Sequence, residues 1–494
     1  MGQTTKSLAE LGLTPQGGRL LRVTGLATDS RAVAPGNLFA ALPGTRVHGA
    51  TFLPGVLDQG AVAVLTDAEG ARIAAPLIAG RDVALVVAEN PRAALAGAAA
   101  LWFGAQPATM VAVTGTNGKT SVSSFARQIW LALGHAAVNL GTTGVEGAWE
   151  APLAHTTPDP LTLHRVLAQA AGHGITHAAM EASSHGLDQH RLDGVHLRAA
   201  GFTNFTQDHL DYHQTFEAYF AAKMALFDRV LPDDGVAVVN IDDPKGAEVA
   251  QIAAARGVRV IRTGRSADAD LRLDAQRFDA TGQDLRFTWG GRPHQVRLGL
   301  IGGFQAENVL VAAGMVIGAG AAPGDVFAVL PRLVTVRGRM QLAATRGNGA
   351  TVFVDYAHTP DAVATALRAL RPHVMGRLVA IIGAGGDRDR TKRPLMGQAA
   401  AQHADVVIVT DDNPRSEDPG TIRAAVILGC PDASEVADRA EAILRGVDAL
   451  MPGDALLVCG KGHETGQIVG DTVYPFDDVE QASVAVAALE GRPA

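Results

Sequence analysis

The stretch Val111–Ser121, VAVTGTNGKTS, holds the residue types that bind a phosphate chain: Gly115 and Gly118, then Lys119 and the hydroxyls of Thr120 and Ser121. Glycines let a strand-to-helix turn curl until its N–H groups and the helix N-terminus face an anion. A lysine there reaches the β- and γ-phosphates of a nucleotide, and the threonine hydroxyl suits Mg2+. The spacing departs from G-x-x-x-x-G-K-[ST], whose first glycine falls here on Val113. The context is nevertheless right: MVAVTG reads as a buried strand and SVSSFARQIWLALG as the helix after the loop.

A second candidate is Lys223. The segment Thr215–Val230 reads as a helix with Thr215 as its N-cap, and Phe216, Tyr219, Phe220 and Phe227 form an apolar stripe on which Lys223 also falls. A lysine there either snorkels to water or is buried for a purpose. His209 and His213, four residues apart, permit a zinc pair, although no further zinc-type ligands stand nearby. Late in the chain, three strand candidates each end in a polar signature: RLVAIIG before AGGDRDRTKRP, DVVIVT before DDNPRSEDP, and ALLVCG before KGHETGQ. Ligands in open α/β sheets bind beyond the carboxyl ends of strands, so these three loops are expected to converge on one pocket.

The elements that must position these groups follow from the rest of the chain. At 494 residues it is too long for one ordinary core. Short aliphatic runs alternating with Ala-rich helical patterns predict an α/β protein with largely parallel sheets. Early strands are expected at Ala61–Thr66 and Val83–Val87, and alternation with glycine turns around 270–300 predicts antiparallel strands. Three α/β domains are expected, over 1–106, 107–336 and 337–494. A net charge of −8 gives no electrostatic footprint for nucleic acid. The two cysteines, Cys430 and Cys459, form no C-x-x-C pair and suit a reducing cytoplasm. The N-terminal stretch has no apolar signal region and the Ala-rich run Ala93–Ala105 is too short to span a bilayer, so a cytoplasmic protein without membrane insertion is expected.

The loop Gly115-Thr116-Asn117-Gly118-Lys119-Thr120 resembles the compact phosphate loop of the Mur ligases and the related folylpolyglutamate synthetases. The resemblance runs over essentially the whole chain. It implies a small α/β N-terminal domain, a central mononucleotide-binding domain of P-loop type and a Rossmann-like C-terminal domain. It implies ATP and Mg2+ (two ions) as cofactors, with Asn308 in FQAEN, Arg339 in RGRM and His358 in DYAHTPD joining residues 115–121 around the nucleotide. Gln305 departs from the family pattern at the first polar position of that adenine-side segment, and His358 has a purely structural reading beside the functional one. The resemblance gives Lys223 the role of a lysine carbamylated by CO2, an anionic oxygen ligand for Mg2+ together with Thr120, Glu181 and His209.

Further matches imply the substrates. Thr28 and Ser30, with the FAALPGTRVHG segment, match the part that cradles a uridine diphosphate. Thr156, Thr157, Ser183, Gln189 and Arg191 match residues touching the muramoyl-peptide. Asp412, Asn413, Pro414 and Arg415 resemble the motif of diaminopimelate-adding members, and Arg388, Gly460 and Glu464 join them by register. A guanidinium clamps the extra carboxylate that lysine lacks, and Glu464 accepts from the distal ammonium; a solvated Arg415 in a simple turn is the plain alternative. The implied reaction is ATP-dependent ligation of meso-diaminopimelate to UDP-MurNAc-L-Ala-D-Glu for peptidoglycan precursors, through an acyl phosphate, by a monomer. Ligation of L-lysine or another diamino acid, a folylpolyglutamate synthetase and an ATP-hydrolysing switch are the rivals.

Overall fold

The structure, a computed structural model, describes residues 4–16, 21–44, 47–206 and 210–491. It divides into two compact units: Met1–Ala269 with Val311–Val326, and Asp270–Leu310 with Phe327–Ala494.

The first unit holds three sheets, the smallest of two strands. Strands β1 (Lys6–Ser7) and β2 (Arg22–Val23) make a short antiparallel pair. Strands β3 (Gly25–Ala27), β4 (Asn37–Ala40), β5 (Ala63–Thr66) and β6 (Ala84–Val87) form a parallel sheet in chain order. The central sheet takes β7 (Thr109–Thr114), β8 (Ala137–Gly141), β9 (Gly144–Gly147), β10 (His177–Glu181), β11 (Leu197–Phe202), β12 (Val236–Asn240) and β13 (Arg259–Gly264). Their order is β13-β12-β11-β7-β10-β8-β9, parallel except for β9. The first of these, β7, has five of its six residues buried, as expected of a strand covered on both faces. It lies between β10 and β11, where the chain order reverses, so the loops after β7, β8, β10 and β11 leave from one edge.

The second unit opens with an antiparallel meander, β14 (Leu271–Asp279), β15 (Gly282–Trp289) and β16 (Arg292–Leu298), at the place where the sequence loses its βα rhythm. Its main sheet runs β17-β18-β22-β19-β20-β21, from β17 (Gln341–Thr345), β18 (Thr351–Asp355), β19 (Leu378–Ile382), β20 (Val406–Val409), β21 (Ser434–Glu435) and β22 (Ala455–Cys459), with only β17 antiparallel. The period of two divides its aliphatics between two cores: Leu378, Ala380 and Ile382 face one layer, Val379 and Ile381 the other. A hairpin of β23 (Gly466–Val469) and β24 (Thr472–Pro475) follows β22.

Beneath that sheet edge Arg439 and Asp478, both fully buried, form a two-bond pair at 2.7 Å. Arg439 also donates to the carbonyls of Cys459 and Asp411, which fixes the carboxyl ends of β22 and β20. Breaking such a pair from one side strands a buried charge and costs about 3–5 kcal/mol. Among the described residues no helix is long and apolar enough to cross a membrane.

Candidate functional site

The glycine loop follows β7 directly, and the helix Lys119–Ala132 begins at its end. Gly115 has φ +148°, and a Cβ there would lie 1.9 Å from Thr203 Oγ1; Gly118, with φ +88°, is the N-cap. Both positions therefore require glycine. The loop is laced to the segment after β11. Thr116 N donates to Asn204 O, Asn117 N donates to Asn204 Oδ1 at 2.9 Å, and Thr203 Oγ1 donates to Asn117 O at 2.6 Å. Asn240 in turn holds Thr203 O. Thr203, Asn204 and Asn240 have no place in a phosphate-loop pattern and escaped the sequence reading, although TNF directly follows β11.

Lys119 folds back over its own loop and donates to Gly115 O and Thr116 O, both at 2.9 Å. Lys223 is only 1% exposed, so the snorkelling reading does not hold. Thr215 caps its helix as expected, accepting from Ala218 N. The Lys223 amine donates to Gly115 O at 2.8 Å and lies 4.5 Å from the centre of the Tyr219 ring. Two lysine amines thus share one carbonyl.

Glu181, at the end of β10, is 1% exposed. One oxygen accepts from Thr142 N at 2.9 Å; the other accepts from Thr120 Oγ1 at 3.1 Å. A Cβ on Gly141 would lie 2.0 Å from that carboxylate, so the glycine ending β8 makes its room. Thr120, Glu181, Lys119 and Lys223 are thereby gathered at one sheet edge. His209 lies outside the described residues, which leaves both the fourth expected metal ligand and the His209/His213 pair without a described position. Among the described residues no three His, Cys, Asp or Glu side chains are grouped to hold a metal ion; the oxygen donors here are one carboxylate and one hydroxyl, suited to a hard cation rather than zinc.

Next to Glu181, Thr156 Oγ1 meets Thr142 Oγ1 at 3.0 Å. The Thr157 hydroxyl accepts from Ser183 N and donates to Glu181 O, while Ser183 Oγ caps the helix Ser184–Asp188. Arg191 grips Gln189 Oε1 and Thr157 O, and Gln189 donates to Tyr212. These five residues form one connected polar wall. Thr28 and Ser30 lie away from it in the sequence and line a separate open groove of about 810 Å³ with Asp29, Arg31, Leu42 and Phe52. Thr45 and Arg46 of the matching segment lie outside the described residues.

In the second unit, Asn308 on the helix Phe304–Gly318 donates to Gln305 Oε1 at 3.2 Å, so the departing glutamine is its buried partner. The Arg339 guanidinium stacks 4.8 Å from the centre of the Tyr356 ring, which also packs against His358 and His463. Beneath them, burial raises the Asp355 carboxyl above its ordinary value.

The three loops after β19, β20 and β22 do meet. Asn413 Nδ2 donates to Glu464 Oε2 at 2.8 Å, joining positions 51 apart in sequence. Arg415 Nη1 donates to Gly386 O at 2.8 Å. A Cβ on Gly385 would lie 2.8 Å from Arg415 Nη1 and 3.8 Å from Arg388 Cγ, so both arginines flank that glycine; a Cβ on Gly460 would lie 2.4 Å from Asp412 Oδ2. Pro414 is buried. Arg415 itself takes φ +52°, a left-handed backbone costly for a non-glycine residue, which here is held by Arg415 N donating to Ile468 O and Gly470 N donating to Arg415 O. The hairpin responsible, β23–β24, was absent from the sequence reading. So were Arg393 and Glu417. The 2%-exposed Arg393 makes two bonds to Glu417, whose carboxyl is held at about 2 by that arginine and by Asp387 N–H.

With this geometry in hand, the chain compares closely with known proteins. The Mur ligase middle-domain profile matches residues 113–316, the Mur ligase glutamate ligase domain 338–462 and the Mur ligase catalytic domain 22–102. The UDP-N-acetylmuramoyl-L-alanyl-D-glutamate–2,6-diaminopimelate ligase of Bradyrhizobium diazoefficiens is 50% identical over 472 residues, 95% of this chain and 96% of that protein. The protein of the same name from Agrobacterium fabrum is 47% identical over 99% of this chain and 98% of its own. A solved structure of a ligase of that name, 33% identical, superposes with a TM-score of 0.74 over 99% of this chain and 100% of the other. The chain belongs to the Mur ligase family of ATP-dependent, amide-bond-forming enzymes.

Proposed function

We propose that this chain joins meso-2,6-diaminopimelate to UDP-N-acetylmuramoyl-L-alanyl-D-glutamate with ATP, in the cytoplasm and as a monomer. The observation that carries the choice of acceptor is the meeting of the Asp412–Arg415 segment with Glu464 and with the loop bearing Arg388. An acid and guanidinium groups carried on loops that meet suit a zwitterionic amino-acid head. Arg415 and Arg388 receive its carboxylate and Glu464 its ammonium.

In the first step the D-glutamyl carboxylate attacks the γ-phosphorus of ATP, the bond to the β-phosphate oxygen breaks, and ADP leaves. In the second, the acceptor amine attacks the acyl carbon, inorganic phosphate leaves, and the amine proton passes to solvent. Residues 115–121 hold the phosphate chain through main-chain N–H groups, and Lys119 moves from its own loop carbonyls to the transferring phosphoryl group. Asn308, Arg339 and His358 bound the nucleoside side; Thr28 and Ser30 hold the uridine diphosphate; Thr156, Thr157, Ser183, Gln189 and Arg191 form the wall for the muramoyl-peptide. Magnesium, when bound, would supply positive charge beside the phosphates; Thr120, Glu181, His209 and Lys223 as its carbamate would hold it. Two ammonium groups on one carbonyl oxygen repel, and the carbamate forms from the uncharged Lys223 amine. That amine adds CO2 with loss of a proton, and the resulting carbamate turns the repulsion with Lys119 into attraction.

The test is an acceptor comparison on the purified full-length protein with ATP and the UDP-dipeptide. We expect meso-diaminopimelate to give the highest kcat/KM, with amide product and phosphate in equal amounts. Preference for L-lysine overturns the acceptor choice, and phosphate release without acceptor overturns ligation.

A further inference from the structure

The third loop, Gly460-Lys461-Gly462-His463-Glu464, contains a side chain that the reaction as derived does not use. Lys461 is 0% exposed. Its ammonium has three N–H groups, and each has an acceptor: Asn413 Oδ1 at 3.0 Å, Glu464 Oε2 at 3.2 Å and Gly466 O at 2.5 Å. It therefore has no donor left for a substrate. What it does is fix three other groups at once.

The consequence for Asn413 is specific. An amide can flip, exchanging donor and acceptor ends, unless its neighbours forbid it. Asn413 Oδ1 accepts from both Lys461 Nζ and Ile468 N, the latter at 2.9 Å, and this leaves Nδ2 facing Glu464. Glu464, one-third exposed, is thus held through one oxygen by a buried cation and an oriented amide. Its other oxygen is outside that clamp. The same ammonium ties the start of the hairpin that holds the Arg415 backbone, and Gln467 Nε2 holds Asp412 O at 2.8 Å.

We propose that Lys461 is a positioning residue for the acceptor site: it locks the Asn413 amide in one orientation and the Glu464 carboxylate in one place, so that the distal amino-acid head of the acceptor finds both preset. This rests on the reading that the loops after β19, β20 and β22 take diaminopimelate. A flexible carboxylate and a flipping amide bind a zwitterion more weakly because they must be ordered on binding. A buried lysine with no part in phosphate transfer leaves ATP recognition alone.

The experiment is steady-state kinetics on the full-length protein, varying ATP, UDP-dipeptide and meso-diaminopimelate in turn, for wild type, Lys461→Met, Lys461→Gln, Glu464→Gln and the Lys461→Met/Glu464→Gln pair, with thermal melts of each. Expected for Lys461→Met is a KM for diaminopimelate raised about tenfold or more, with the other two KM values within twofold. Lys461→Gln, which keeps a donor without the charge, falls between. Once Glu464 is Gln, the further effect of Lys461→Met on that KM shrinks, because the lysine acts through that carboxylate. An unchanged diaminopimelate KM, additive effects in the pair, all three KM values rising together, or loss of a cooperative melt in both Lys461 variants overturns the proposal. A wild-type enzyme that ligates no diaminopimelate overturns instead the reading of the pocket.

Discussion

The loop after β7 and the loops after β19, β20 and β22 occupy equivalent places, the carboxyl edge of a parallel sheet, yet they are built on opposite plans. The first is one contiguous stretch that runs straight into a helix N-terminus and whose lysine bonds residues three and four positions away. The second is an assembly of side chains whose defining contact joins residues 51 apart. The proposed ligands account for the difference. A phosphate chain carries one sign of charge, so a row of N–H groups and a helix N-terminus suffice. A zwitterionic head needs acid and guanidinium close together. Left alone those would bond each other, so further buried groups must hold them apart and oriented.

Breaking the contrast at Lys223 gives the largest expected effect. Lys223→Ala removes a fully buried side chain that contacts the phosphate loop at Gly115 O. Turnover should fall by ~10²–10³-fold or more, the scale of losing one electrostatic group at a transfer site. Added acetate or formate should restore part of it, by supplying a carboxylate in place of the proposed carbamate. A coupled ADP-release assay reads both numbers. Normal turnover, or loss without rescue, counts against the carbamate.

The same contrast explains what could be read in the sequence. The βα rhythm, the phosphate loop and the Thr215 cap are local patterns, and β7, the loop after it and the helix Lys119–Ala132 sit where period and composition put them. Lys223 stood out because its burial violates the rule that lysine stays at the surface. The end points of the acceptor pocket, Asp412–Arg415 and Glu464, were legible as polar signatures after strands. Their supports were not. Arg393 lies inside a helix of mixed composition, Glu417 in an acidic turn, and Lys461 between two glycines; only the fold reveals that each is tied down. The hairpin β23–β24 was hidden because its residues carry no strong alternation, and three of them, Val469, Val473 and Tyr474, are exposed.

Arg415→Ala sharpens the comparison with a middle-sized effect. The guanidinium bonds Gly386 O and stands beside Arg388. Its loss should raise the KM for diaminopimelate by roughly 10–150-fold, equivalent to ~1.5–3 kcal/mol for a charge-assisted bond. The KM for ATP should stay put, since the phosphate loop uses other groups. Titrating each substrate separately decides it. An unmoved diaminopimelate KM returns Arg415 to the plain turn reading.

Glu417 gives the smallest effect and tests the scaffold beneath the acceptor loops. Its carboxyl is held at about 2, against an ordinary value of 4.5, chiefly by its two bonds to Arg393 and then by the Asp387 N–H. A carboxyl depressed by folding adds stability that is complete above the unfolded value and disappears as the pH drops through the folded one. The contribution of this pair is therefore present above pH 4.5 and lost progressively between pH 4.5 and about 2. Other depressed carboxyls, such as Asp29, titrate in the same range, so the wild-type slope alone identifies nothing. The difference from Glu417→Gln does. Denaturant unfolding from pH 7 to 2 should show the variant less stable than wild type at neutral pH and converging with it in acid. Parallel curves would mean that Arg393 holds the Gly385–Asp387 loop without Glu417, and that the acceptor site depends on its buried charges less than the phosphate site depends on its main chain.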